Sequence, residues 1–456
     1  MSTSSATPKF RVAICGAGIG GLVLAITIDK FAERGVKIDL YEARETFVTA
    51  GAGISIGPHT NQIMEELGMY QDISRVSMNS PRSSGTSFRK SDSQEGDFEW
   101  FHHIFNHSGR GRLKRQELLD ILEQHLPASC TVHFNKRLTT YDKQSAGSLV
   151  LHFADDSAVT TDVLIGADGI HSSVRKTLFE TIDRDVVDPS KIRHFADASW
   201  TGTSVYRALF PVEKLLKVDP NHIVLKGPVF FCGKGKHIFS YQVSRLINVV
   251  AYISDKQKAG APFEGRWVSD VSHEEVNEAF QNFEPAVRDL LKCCENPSRY
   301  AIHIVNELPL STWDRVALIG DACHAMPPHM GAGAGQATED AFVLGRLLAH
   351  SLTTLDNVHA ALKAYQDVRL SVTQLLARQS SDMGYMYEFD APGYYDGTDR
   401  GNEREELELL KEKILERRGW ESDDGAFSGW LKAEGKLQES VGLRNGRCEN
   451  DASFSL

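Results

Sequence analysis

Hydrophobic and polar positions divide this chain into stretches of distinct period. Phe10 to Cys15 is a short β-type run, and the glycine cluster "GAGIGG" at 16 to 21 follows at once. Leu22 to Arg34 then repeats apolar residues at helical spacing, and Val36 to Tyr41 reads as a second strand. The same order of strand, turn and helix returns at Val163 to Ile165, where Asp168-Gly169 is the turn and Ser172 can cap a helix beginning near Ser173. From about 195 to 300 the pattern changes to β-rich runs, "TSVYRALF", "IVLKGPVFFC", "HIFSYQV" and "INVVAYIS", which predict a mainly antiparallel sheet. A further strand-like run, "RVALIG", ends at Gly320. Beyond Gln336, helical periodicity continues through "AFVLGRLLAHSL" and "VHAALKAYQDVRLSVTQLLARQSSDMGYMYEF".

These periods predict an α/β chain in which a Rossmann-like, dinucleotide-binding domain is interrupted by a β-sheet domain. The expected division is a disordered tail at 1–9, nucleotide-binding parts at 10–190 and 306–390, the sheet domain at 191–305, and a helical tail at 391–456. The span 81–97, "PRSSGTSFRKSDSQEGD", is polar with turn formers and reads as a surface excursion, within a surface or substrate-side excursion near 81–110. From 401, "GNEREELELLKEKILERRGW" carries charges at i,i+4 spacing, as a solvated helix does. Its apolar positions Leu407, Leu409, Leu410, Ile414 and Leu415 offer a face for docking on its own subunit, the commoner outcome, or for a homodimer contact. Either a monomer or a homodimer fits.

Composition narrows the class. The 456 residues exceed one ordinary core, and 41% hydrophobic with 24% charged residues is globular composition. A net charge of −11 argues against broad nucleic-acid binding, which needs a basic face. No apolar run approaches the roughly 18 residues that would span a bilayer, and "MSTSSATPKF" lacks the order of a secretory signal. Cys15, Cys130, Cys232, Cys293, Cys294, Cys323 and Cys448 form no C-x-x-C pair, and an odd, scattered set fits a reducing compartment. A cytoplasmic location is expected.

The glycine cluster supplies the first chemistry. Gly16 permits the tight turn, Gly18 lets the backbone approach a pyrophosphate, and Gly21 lets the helix pack on the strand. The helix N-terminus offers unpaired N–H groups to phosphate, and Glu42, ending the second strand, can take both hydrogen bonds from an adenosine ribose. This pattern specifies an ADP-containing dinucleotide without separating FAD from NAD. The stretch "LIGDACHAMPPHMGAGAGQATEDA", Leu318 to Ala341, crowds a Gly-Asp pair, two histidines and several glycines between strand and helix. A metal held by Asp321, His324 and His329 is disfavoured because zinc-site spacing is absent, so no metal is expected. Glu339-Asp340 reads as favouring the N-terminal end of the following helix through its dipole, and His324 as a packed, hydrogen-bonded histidine.

Taken in order, "GAGIGG", "ADGIHSSVR" and "LIGDACHAMPP" resemble the single-component FAD-dependent aromatic hydroxylases of the para-hydroxybenzoate hydroxylase type. The resemblance runs from about 10 to about 390, and "PHMGAGAGQATEDA" is similar to the salicylate hydroxylase branch. It implies FAD as the bound cofactor, contacted by Gly16, Gly18, Gly21, Glu42 and Asp168. "GAGISIGPHTNQIMEELGM" at 51–69, with Gly53, resembles the segment beside the flavin ring, and "LKRQELLDIL" places Arg115 near the flavin. Asp321 would bind the ribityl chain, while Gly331, Gly333 and Ala334 present N–H groups to the pyrimidine side of the ring. Two departures stand out: Cys323 where alanine is common, and His59-Thr60 where Asn-Ala is common, so no contact is carried over to that turn.

The resemblance also implies the chemistry. NADH or NADPH visits transiently, and reduced flavin activates O2 as a C4a-hydroperoxide, whose distal oxygen attacks an electron-rich ring. His329 lies at the substrate in this branch and is the expected base, since histidine titrates near neutral pH. The expected reaction converts salicylate to catechol with release of CO2, and Arg207 and Tyr241, from the sheet-domain strands, are candidates to hold the substrate. The alternatives are hydroxylation of another phenolic acid or polyketide-derived phenol without loss of CO2, an NAD-dependent dehydrogenase, and a non-catalytic flavin-binding protein.

Overall fold

Strand Arg11–Cys15 has apolar residues on both faces, as a strand covered by helices on two sides requires, and it lies inside a six-stranded sheet. The order across that sheet is Thr312–Trp313, Val316–Leu318, Val163–Gly166, Arg11–Cys15, Lys37–Tyr41, Cys130–His133, parallel except for the first pair. Register aligns Cys15 with Gly166 and Gly166 with Leu318. The three motif turns therefore leave the same carboxyl edge side by side, where ligands of open parallel sheets bind. The computed structural model describes residues 8–48, 53–79, 85–93, 96, 98–104, 111–145, 147–419 and 425–451.

A second, eight-stranded sheet runs Val268–Asp270, Ser298–Val305, Ala198–Pro211, Leu246–Ser254, Lys236–Val243, Val229–Gly233, Thr86–Lys90, Glu99–His103. Every pairing is antiparallel except that between Val229–Gly233 and Thr86–Lys90. The mainly antiparallel sheet is as expected, but the surface excursion expected at 81–97 is corrected. Residues 86–90 are a sheet strand, with Phe88 buried and stacked between Phe101 at 4.2 Å and Phe230 at 4.8 Å. Arg89 is buried too, because Glu284 meets its guanidinium at 2.7 and 2.8 Å. Residues 81–84, 94, 95 and 97 lie outside the described residues.

Helix Ile19–Phe31 begins three residues before the expected start and is buried on all sides from Ile19 to Ile28. Helix Gly333–Ala349 crosses it closely: a Cβ on Gly345 would lie 2.7 Å from the Thr27 side chain, and one on Gly20 would lie 3.5 Å from Ala337. This crossing brings the N-terminus of the second helix up to the first glycine turn. Helix Val358–Tyr387 packs behind both sheets, and helices Glu403–Arg418 and Gly425–Asp451 complete the described chain. Among the described residues no helix is long and apolar enough to cross a membrane.

Candidate active site

The first turn is built for close approach. Gly16 has φ +105°, and a Cβ there would lie 2.2 Å from the Ala167 carbonyl oxygen. A Cβ on Gly21 would lie 2.0 Å from the Gly16 oxygen, so the helix starts against its own turn. At Gly18 a Cβ would meet nothing within 4 Å, and that open space borders two cavities. The smaller, about 280 Å³, is lined by Glu42, Arg44, Lys136 and Asp168 among others. Glu42 accepts N–H bonds from Ala17 and Arg44, both at 2.9 Å, so its carboxylate is fixed at the mouth of the turn. Asp168 accepts from the Ser173 and Val174 amides and from Ser172 Oγ, and burial raises its pKa. Ser172 itself caps the Arg175 amide at 2.9 Å, as expected.

The larger cavity, about 1430 Å³, lies between the carboxyl edge of the parallel sheet and one face of the eight-stranded sheet. On the parallel-sheet side it is lined by Gly53, Arg115, Asp321, Gly331, Gly333 and Ala334. Pro328–Met330 is a single 3-10 turn ended by Gly331 at φ +67°, after which the Gly333–Ala349 helix begins. The first-turn N–H groups of a helix have no intrahelical partner, so this end offers donors and partial positive charge to the cavity. Arg115 is half-buried, with its Nε shielded from solvent and without a hydrogen-bond partner; burial lowers its pKa, with Asp321 opposing and Arg207 reinforcing.

The opposite wall follows from strand register. One cross-strand row reads Arg207, Val250, Phe239, Phe230, and its neighbour reads Val205, Tyr252, His237. Tyr241 pairs with Asn248 and reaches across: its hydroxyl lies 3.1 Å from where a Gly53 Cβ would be. His329 stands against this wall, its ring 4.9 Å from Tyr252 and 5.3 Å from His237. From behind it is held by Gly384, where a Cβ would sit 2.5 Å from His329 Nε2. His237 stacks on Tyr252 at 4.3 Å, and its Nδ1 meets Glu388 Oε1 at 3.0 Å, where Ser254 Oγ also donates at 3.0 Å. Burial pushes both imidazoles down to about 3 and Glu388 up to about 7. His329 Nδ1 and His237 Nε2 are buried without a hydrogen-bond partner.

Beneath the Gly-Asp turn lies a buried ionic network. Arg369 pairs with Glu339 at 2.6 Å and Asp340 at 2.9 Å, and donates to Gln336 Oε1 at 2.6 Å. Asp340 also accepts from the Gly320 amide at 3.0 Å and meets His324 Nε2 at 2.5 Å. Burial raises the Asp340 pKa, but His324 and Arg369 outweigh it and hold it at about 2. The expected dipole role of Glu339-Asp340 is thus corrected: both sit past the first turn and act by anchoring the turn that carries Asp321. His324 is the packed histidine expected, Cys323 is a buried small residue, and His59 bonds Glu339 at 3.2 Å.

The residues present fit a flavin dinucleotide. Open space at Gly18 joins the two cavities, the unpartnered Arg115 Nε lines their junction, and a helix N-terminus with almost no side chains faces the larger one. The family model described as "FAD binding domain" matches residues 9–198 and 308–380. The chain is 32% identical to a salicylate hydroxylase of Pseudomonas putida over 456 residues, covering 96% of this chain and 98% of that one. It belongs to the FAD-dependent monooxygenases of the salicylate hydroxylase type. The flavoenzyme is also 32% identical to the 6-methylsalicylate 1-monooxygenase of Aspergillus terreus, covering 85% of each chain. A solved salicylate hydroxylase substrate complex superposes with a TM-score of 0.79 at 30% identity, covering 93% of this chain and 98% of that one.

Within this flavoenzyme the sequence-predicted residues divide between two places. Gly16, Glu42 and Asp168 border the smaller cavity, and Gly18 and Arg115 border both. Gly53, Arg207, Tyr241, Asp321, His329, Gly331, Gly333 and Ala334 meet around the larger, whereas Gly21 touches neither and acts by packing. Among the described residues no cluster of three or more His, Cys, Asp or Glu could hold a metal ion. The expectation that His329 titrates near neutral pH is corrected, because burial and neighbouring His237 keep it neutral. Sequence reasoning missed His237 and Arg418, which line the larger cavity, and Glu388, which bonds His237 from behind. For His237, the run "HIFSYQV" that supplied Tyr241 was a usable signal, because a period of two puts both residues on one face of the strand; Glu388 and Arg418 had none.

Proposed function

We propose that this enzyme hydroxylates a small phenolic acid with NADH or NADPH and O2, most simply salicylate to catechol with release of CO2. The observation that carries the reading is a cavity with a glycine-rich helix N-terminus on one side and a wall of Phe230, Phe239, Tyr241, Tyr252, His237 and His329 on the other. Aromatic faces suit a flat ring, and a mostly apolar wall limits water at the reacting atoms. Bound FAD would supply hydride acceptance and oxygen activation. Gly18 and the first turn of Ile19–Phe31 would hold its pyrophosphate, Glu42 its ribose, Asp321 its ribityl chain, and Gly331, Gly333 and Ala334 the pyrimidine edge.

His329 would receive the substrate hydroxyl as a neutral hydrogen-bond acceptor, with His237 and Glu388 behind it. Glu388, behind the wall, has its pKa raised by burial to about 7, so it exchanges a proton near neutral pH. Polarising the phenol raises electron density in the ring where oxygen is transferred. The relative acting on 6-methylsalicylate favours a second reading within the same class, a substituted salicylate.

The test is aerobic NADH and NADPH oxidation by the FAD-loaded enzyme with and without salicylate, with products identified by chromatography. Catechol formed in proportion to the nucleotide consumed is the expected result. Oxidation stimulated without catechol would make salicylate an effector and move the assignment to another phenol. No stimulation would remove the salicylate reading.

A further inference from the structure

Helix Glu403–Arg418 delivers its last residue to the cavity wall. Leu407, Leu410 and Ile414 are buried beneath it, and Trp100 Nε1 donates to the Leu407 carbonyl at 3.0 Å. Arg417 pairs with Asp382 at 2.6 Å, which fixes the final turn. Arg418 then lines the large cavity. Its Nε and Nη2 both donate to Tyr387 Oη, at 2.9 and 2.5 Å. Its guanidinium lies 4.9 Å from the Phe230 ring centre and 5.6 Å from those of Phe88 and Tyr387.

We infer that Arg418, and not Arg207, is the anchor for the substrate's carboxylate. The inference rests on the phenolic-acid reading above. A guanidinium is intrinsically planar and weakly hydrated, and resting on aromatic faces fixes the orientation of its donor fork toward a carboxylate. Arg207 lies three strands from Phe230 along the same row, roughly 14 Å at about 4.8 Å per strand. It sits beside Tyr300, 5.7 Å away, and close enough to Arg115 to lower that residue's pKa. It also opposes the rise that burial causes in the Tyr252 pKa, so it stands on the Arg115 and Tyr252 side of the cavity, away from the Phe230 end of the row. The aromatic shelf lies at the other end: Phe230 and Phe239 stack at 4.2 Å, and Tyr387 is 4.6 Å from Phe230 and 5.3 Å from His237. A ring resting on that shelf puts its acid group toward Arg418 and an adjacent hydroxyl toward the histidines.

The experiment measures binding of salicylate and of its neutral carboxamide to the FAD-loaded, full-length enzyme through the flavin absorbance change. The parent, Arg418→Met, Arg418→Lys and Arg207→Met are compared, with flavin content as the folding control. The parent is expected to prefer salicylate. Arg418→Met should lose about 100-fold in salicylate affinity while carboxamide binding changes less than about threefold. Arg418→Lys should recover part of the preference, and Arg207→Met should keep it. Equal losses for both ligands in Arg418→Met would overturn the anchor in favour of a packing role. A preference lost in Arg207→Met but kept in Arg418→Met would overturn it in favour of Arg207. A parent that binds the carboxamide as well as salicylate would sink the anchor and the phenolic-acid reading together, which the variant results alone do not do.

Discussion

A glycine facing a histidine is among the tightest constraints around the cavity. Gly384 lies inside the Val358–Tyr387 helix, where alanine is intrinsically more favourable by about 1 kcal/mol. Its Cβ would nevertheless fall 2.5 Å from His329 Nε2, so the ring must move. Gly384→Ala is therefore expected to keep its flavin and its thermal midpoint while kcat falls by about 10-fold or more; unchanged turnover would show that the position of His329 does not matter. Glu388 makes a separate prediction. Its folded pKa of about 7 lies above the ordinary 4.5, because burial disfavours the carboxylate. The stability it contributes is full below about 4.5 and is lost as pH rises through about 7. Glu388→Gln removes that titration, so parent and variant stability, followed by thermal melts, should diverge in slope between about pH 4.5 and 7. Parallel curves would mean that Glu388 is as ionised in the folded chain as in the unfolded chain throughout that range.

At the scale of elements, the glycine turn separates a packing role from a binding role. Gly21→Ala forces a Cβ to 2.0 Å from the Gly16 oxygen, so it should lower the melting point of the flavin-free chain. Gly18→Ala meets nothing within 4 Å, so its flavin-free melting point should match the parent while FAD affinity drops by about 10-fold or more. Equilibrium FAD titration and thermal melts of both variants check this, and equal behaviour would refute the division. That turn was legible in the sequence because strand, glycines and helix are contiguous. Thr86–Lys90 was not, because Phe88 is covered by Phe230 and Arg89 by Glu284, partners remote along the chain that turn a polar-looking segment into interior strand. The expected tail helix was legible in part. Leu407, Leu410 and Ile414 are buried in its own subunit, while Leu409 remains 60% exposed.

For the whole molecule, the candidate cofactor site joins the two sheets, so binding and folding are linked. A ligand held only by the folded chain adds about 2.7 kcal/mol at a concentration 100 times its Kd. The melting midpoint should therefore climb with FAD concentration, and a flat response would remove FAD from the glycine turn. Much of the candidate site was legible because it hangs on three local motifs at one sheet edge. The sheet wall was legible only at Arg207 and Tyr241, since His237, Glu388 and Arg418 come together through strand register and helix docking. Register also sets an order on biosynthesis. Strand Arg11–Cys15 leaves the ribosome early, but its neighbour Val163–Gly166 and the Gly333–Ala349 helix that covers Ile19–Phe31 come much later. At about 5–20 residues per second, that apolar helix waits roughly 15 to 60 s for its cover. A nascent chain interrupted in that interval carries the glycine turn with no partner helix against it, and its exposed surface is that of a chaperone client.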